Sequence, residues 1–93
     1  MAIFTFSPVK NLQLKQERNI SFEEIIAAIE AGELLDVVEH PNQEKYANQR
    51  IYVVYAKEYV YLVPFVKDGE EKVFLKTIIP SRKAKKNYAE EEE

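Results

Sequence analysis

The stretch Lys72 to Lys86, KVFLKTIIPSRKAKK, holds six of the thirteen basic residues (Lys72, Lys76, Arg82, Lys83, Lys85 and Lys86) and no acid. A cluster of that sign suits an anion, and phosphate is its usual target. Val73, Phe74, Leu75, Ile78 and Ile79 predict a strand that breaks at Pro80 and delivers Ser81, Arg82 and Lys83 just past its end, followed by Lys85, Lys86 and Tyr88. Side chains rooted on a strand end can be aimed. With Arg50 and Lys76, these residue types fit one reaction well, the cleavage of RNA without a metal. RNA supplies its own 2′-hydroxyl as nucleophile, the developing charge needs guanidinium or ammonium groups beside it, and Tyr or Lys handles protons if neighbouring cations lower its pKa. The same run also reads as a solvated helix face. Tyr59 and Tyr61 read as sheet packing before they read as a base-stacking platform.

Other chemistries lack their residues. There is no cysteine, so no disulfide, thiolate metal site or thiol nucleophile, and one histidine excludes a multi-histidine metal site. Neither glycine, Gly32 or Gly69, opens a phosphate-cradling loop. His40 precedes Pro41 at the mouth of a polar loop and reads as an exposed loop residue before it reads as a base. Glu23 and Glu24 are adjacent on a helix and point in different directions. No metal or cofactor is expected.

Ninety-three residues make one domain, and 46% hydrophobic content with five Phe and six Tyr can build its core. The formal net charge is −3, but Glu90 to Glu93 supply four of the sixteen acids, leaving twelve against thirteen bases. Acids otherwise gather in the first half (Glu23, Glu24, Glu30, Glu33, Asp36, Glu39), which predicts an electrostatically two-sided molecule. The tail at 90–93 reads as a disordered solubilising end, or as a shield for the basic patch. The opening residues lack a signal peptide's basic region and long apolar run, and no apolar stretch nears the roughly 20 residues that cross a bilayer. A cytoplasmic protein with no membrane partner is expected.

The elements that must position these residues follow from pattern. Ala2 to Phe6 alternates as a strand, and Ser7-Pro8 caps a helix to about Arg18. Ser21 and Glu24 form a capping box with Ile20 and Ile25 as staple, opening a second helix that Gly32 stops. Strands are predicted over Leu34 to Glu39, Arg50 to Ala56 and Tyr59 to Val66, with a tight hairpin at Lys57-Glu58 and another turn at Asp68-Gly69. The expected fold is α+β, in the order β-α-α-β-β-β-β, with an antiparallel sheet, two helices on one face and a short C-terminal helix from about Ser81, all in one domain over 1–89.

These pieces in this order resemble the BrnT family of toxin–antitoxin toxins. Pro8-Val9-Lys10-Asn11 after an aromatic strand resembles its "DPxKxxxN" start, and Ile20-Ser21-Phe22-Glu23-Glu24 its "hGVSFEEA" segment. Asn48-Gln49-Arg50 is similar to "xER", and Ile78-Ile79-Pro80-Ser81-Arg82-Lys83-Ala84 through Tyr88 to "IISARKA…Y". The chain departs from the pattern at Arg18-Asn19-Ile20, at Pro80 and in the Tyr59-Val60-Tyr61 strand. The resemblance implies a compact RelE-like ribonuclease fold and translation-blocking RNA cleavage. It also implies inhibition by a co-encoded BrnA-like antitoxin with a ribbon-helix-helix portion, in a 2:2 complex that reaches operator DNA only through the antitoxin. By motif position Arg50, Ser81, Arg82 and Tyr88 are the implied catalytic residues, with Lys76, Lys83, Lys85 and Lys86 binding substrate. Two alternatives stand beside this, a non-catalytic module that binds nucleic acid or an acidic partner and cuts nothing, and a topoisomerase poison acting by protein contact.

Overall fold

A computed structural model describes residues 2–88; the acidic tail at 90–93 lies outside the described residues. Strand β1 (Ile3–Phe6) leads into helix α1 (Pro8–Arg18) and helix α2 (Phe22–Glu30). Strands β2 (Leu34–Glu39), β3 (Gln49–Ala56), β4 (Tyr59–Lys67), β5 (Lys72–Leu75) and β6 (Ile79–Pro80) follow, and helix α3 (Arg82–Tyr88) closes the chain. The fold is α+β. Both predicted caps form: Ser7 accepts from the Lys10 N–H, and Ser21 and Glu24 make the reciprocal box. Gly32, at φ +91°, turns the chain out of α2 in a conformation that side chains disfavour. Asn11 ties the two helices together. It is buried, accepts from the Phe22 N–H at 2.7 Å and donates to Glu23 at 2.8 Å, so it satisfies an orphan donor of the α2 first turn.

The sheet runs β1-β5-β4-β3-β2, with β6 also on β4. It is mixed and not antiparallel as expected, because β1 lies parallel to β5, Phe4 opposite Val73 and Phe6 opposite Leu75. The reason is burial. Phe4 and Phe6 pack against the main core, Phe6 stacking on Phe22 at 4.9 Å, and pairing with β5 places them on that face. One face of the sheet (Val54, Tyr61, Val63, Phe65, Val73, Leu75) meets Leu14, Ile20, Phe22 and Ile25 of the α1–α2 layer. On the opposite face Ala84 of α3 packs on Val53 and Val60, with Leu35, Val38, Tyr55 and Leu62 around them. Among the described residues no helix is long and apolar enough to cross a membrane.

The run after β5 departs from the predicted single strand. Leu75 pairs with Phe65 and Ile79 with Leu62, so four steps on this run span three on β4. One extra residue is therefore accommodated at Lys76 to Ile78, as in a β-bulge. It turns Ile78, fully buried, into the α1–α2 side, where its carbonyl accepts from the Arg18 guanidinium. The strand is interrupted before Pro80, which itself pairs with Tyr61.

Candidate nucleic-acid interface

The residues singled out in the sequence fall in two places. Ser81 sits beside Val60, donating its N–H to the Val60 carbonyl at 3.0 Å, and its hydroxyl accepts from the Ala84 N–H at 3.0 Å. That hydroxyl caps α3. Arg82 and Lys83 follow, exposed, on the first turn. Arg50 lies elsewhere, opposite Phe65, five steps along β4 from Val60, or roughly 17 Å at the usual rise per residue. Residues paired across strands share a face, so Arg50 belongs to the α1–α2 side, whereas α3 lies on the other. With Asn48 and Lys67 it lines a separate depression of about 390 Å³. Arg50 and Arg82 are therefore not brought to one phosphate.

Tyr88 is also engaged. Its hydroxyl donates to Asp36 Oδ2 at 2.7 Å, fastening the end of α3 across the sheet to β2. This bond to a carboxylate holds the phenol above its ordinary pKa, which keeps it a proton donor and disfavours the phenolate. Lys85 reaches the hairpin end, its ammonium 5.4 Å from the centre of the Tyr59 ring. At 100° per residue, with Ala84 buried, Lys83 and Asn87 occupy the opposite flank of α3, and Arg82 and Lys86 point outward. Tyr59 and Tyr61 themselves pack at the main core.

On the same face as α3, past the bulge, lies a cleft of about 250 Å³ lined by His40, Tyr46, Gln49, Pro64, Lys76, Thr77 and Ile79. The bulge forms one wall. The loop from His40 to Gln49 forms the other and is organised by its own bonds. The His40 N–H donates to Gln49 O at 3.2 Å, continuing the β2–β3 ladder, and Tyr46 N donates to Asn42 O at 2.9 Å. The Asn42 side chain accepts from Lys45 N at 3.1 Å. His40 is half-buried, with its ring 4.2 Å from that of Tyr46. Lys76 is the one predicted substrate-binding residue that lines this cleft. His40, Tyr46 and Gln49 were outside the predicted site, and the signal that could have found them is the Pro41-Asn42 turn directly after a strand, with an aromatic residue four positions on. Among the described residues no group of acids and His40 could hold a metal ion. The chain matches no protein-family model, no curated protein and no solved structure.

Proposed function

We propose that this chain is the toxin of a type II toxin–antitoxin pair, a RelE-like endoribonuclease that blocks translation by cleaving RNA without a metal. The observation that carries the reading is the sheet face opposite α1 and α2, where Lys76 lines a cleft beside the exposed cations of α3. An RNA strand laid across α3 meets Arg82, Lys83 and Lys86 in succession and enters the cleft at Lys76. In the reaction the 2′-oxygen bonds to phosphorus and loses its proton. The bond to the 5′-oxygen breaks, that oxygen takes up a proton, and a 2′,3′-cyclic phosphate remains. Charge on the phosphorane is highest at the transition state, so fixed cations accelerate the step more than they tighten binding.

A second reading is favoured by the separation of Arg50 from Ser81, Arg82 and Tyr88, and by the Ser81 and Tyr88 hydroxyls being already bonded. It is a module of the same fold that binds single-stranded nucleic acid through α3 and cuts nothing. Incubating the purified chain with RNA in the presence of a chelator separates the two: cyclic-phosphate ends support the toxin, and retention of intact RNA supports the module. The toxin reading further requires a BrnA-like ribbon-helix-helix antitoxin, expected as a 2:2 complex by light scattering after co-expression with the adjacent gene. A lone monomer under those conditions would count against it.

A further inference from the structure

His40 is the single histidine of the chain, and its ring is held in one tautomer. The Asn42 N–H donates to Nδ1 at 3.1 Å. A backbone N–H can only donate, so Nδ1 is the lone-pair nitrogen and the neutral ring carries its proton on Nε2. No protein hydrogen bond among the described residues uses Nε2. The carbonyl of the same residue accepts from Gln43 Nε2 at 2.7 Å, and the ring lies 4.2 Å from that of Tyr46, tilted 31° to it. These contacts aim the imidazole of His40 into the cleft that it lines.

Across the cleft, Lys76 is rooted by its N–H on the Pro64 carbonyl at 2.8 Å. The salt bridges among the described residues involve neither Lys76 nor His40. Buried Pro64 and exposed Ile79 supply the apolar surfaces, while half-buried Gln49 and Thr77 supply further polar groups. A few aimed polar groups over an apolar floor are the usual make-up of a ligand site. The volume, about eight water molecules' worth, holds a phosphodiester with part of a ribose.

We propose that this cleft is a phosphodiester site for single-stranded RNA, in which His40 donates from Nε2 to a non-bridging phosphate oxygen and Lys76 neutralises the phosphate charge. This deepens the RNA reading above and rests on it for the identity of the ligand, but not on cleavage. A directed imidazole donor and a cation on opposite walls fix a phosphate in direction as well as position, which surface lysines on α3 alone do not do.

The test uses the full chain and a 2′-O-methyl RNA oligonucleotide, which cannot cleave itself. A single histidine gives a single imidazole C2–H resonance, so proton NMR reports this site without assignment of the rest. The resonance should move on saturation with the oligonucleotide. His40→Asn retains an acceptor where Nδ1 stands and removes the Nε2 donor, and should weaken binding about tenfold. His40→Gln places an amide donor near Nε2 and should recover part of that loss, and Lys76→Ala should weaken binding by a similar factor. Thermal melts of each variant separate lost binding from lost folding. If the oligonucleotide binds while the imidazole signal stays still and His40→Asn binds as the parent does, the cleft is not the site. Failure to bind at all overturns the proposal together with the RNA reading. Binding at His40 without cleavage of ordinary RNA leaves the site standing and removes only the nuclease.

Discussion

Glu24 accepts from the Ser21 N–H at 2.9 Å and from the Ser21 hydroxyl at 3.2 Å, and pairs with the Lys57 ammonium at 3.2 Å. Burial pushes its pKa up, but the bonds from Lys57 and Ser21 outweigh this and the net shift is below the ordinary 4.5. The folded state therefore binds a proton less readily than the unfolded chain. Stability from this residue is fully present above about pH 4.5 and is lost as pH falls through the lower folded value. Glu24→Gln keeps the capping geometry but has no carboxylate to protonate. Urea midpoints measured from pH 7 down to pH 3 should fall less steeply for Glu24→Gln than for the parent; parallel curves would show that the carboxylate contributes nothing. Solvent exposure and screening make the expected difference a fraction of a kcal/mol.

Among the elements, the β3–β4 hairpin carries a local conflict. Its two turn residues, Lys57 and Glu58, both stand at positive φ, 52° and 61°, the geometry that matches strand twist and that Asn-Gly normally fills. Lys57 is compensated by its bonds to the Asn19 carbonyl at 2.6 Å and to Glu24. For Glu58 the side-chain bonds offer no compensation, and a left-handed L-residue costs about 1–2 kcal/mol. Glu58→Gly should thus stabilise the fold by about 1 kcal/mol after glycine's greater unfolded freedom is subtracted, a rise of about 5 °C in Tm by calorimetry. The hairpin was legible in the sequence because Lys57-Glu58 left room for nothing else between two alternating runs. The caps at Ser7 and Ser21 were legible for the same reason, being set by residues within one turn. What the sequence did not disclose was set by distant contacts. The parallel pairing of β1 depends on residues about seventy positions away, the bulge at Lys76 to Ile78 on the register of β4, and the cleft on a loop whose contact between His40 and Tyr46 has no periodic signature. Arg50 and Arg82 looked like partners because type and motif order were visible while sheet face was not.

At the scale of the whole molecule, the two faces of the sheet have different work. The α1–α2 face buries the main core, and the other is left half open beside α3. RNA bound along α3, as proposed, should release counterions, with log K falling by about 0.7 per neutralised phosphate for each unit of log salt. Replacing both Lys83 and Lys86 by Ala should reduce that slope by about 1.4, measured by fluorescence anisotropy across a salt series. An unchanged slope would place the RNA elsewhere, the Arg50–Lys67 depression being the next surface to examine.

The parallel seam between β1 and β5 also bears on how the chain comes off the ribosome. Ile3 has no partner until Lys72 has been made, because its register neighbour lies sixty-nine residues downstream. The β3–β4 hairpin closes over two residues and can form early, whereas joining β1 requires closing most of the chain into a single loop. Until then Phe4 and Phe6 lack the β5 edge that buries them. A growing chain arrested before Leu75 should accordingly expose the apolar side chains of β1 to chaperones and proteases and lack the bulge that walls the cleft. Whatever keeps β5 from docking therefore leaves Phe4 and Phe6 without their partner strand and the cleft without its Lys76 to Ile79 wall.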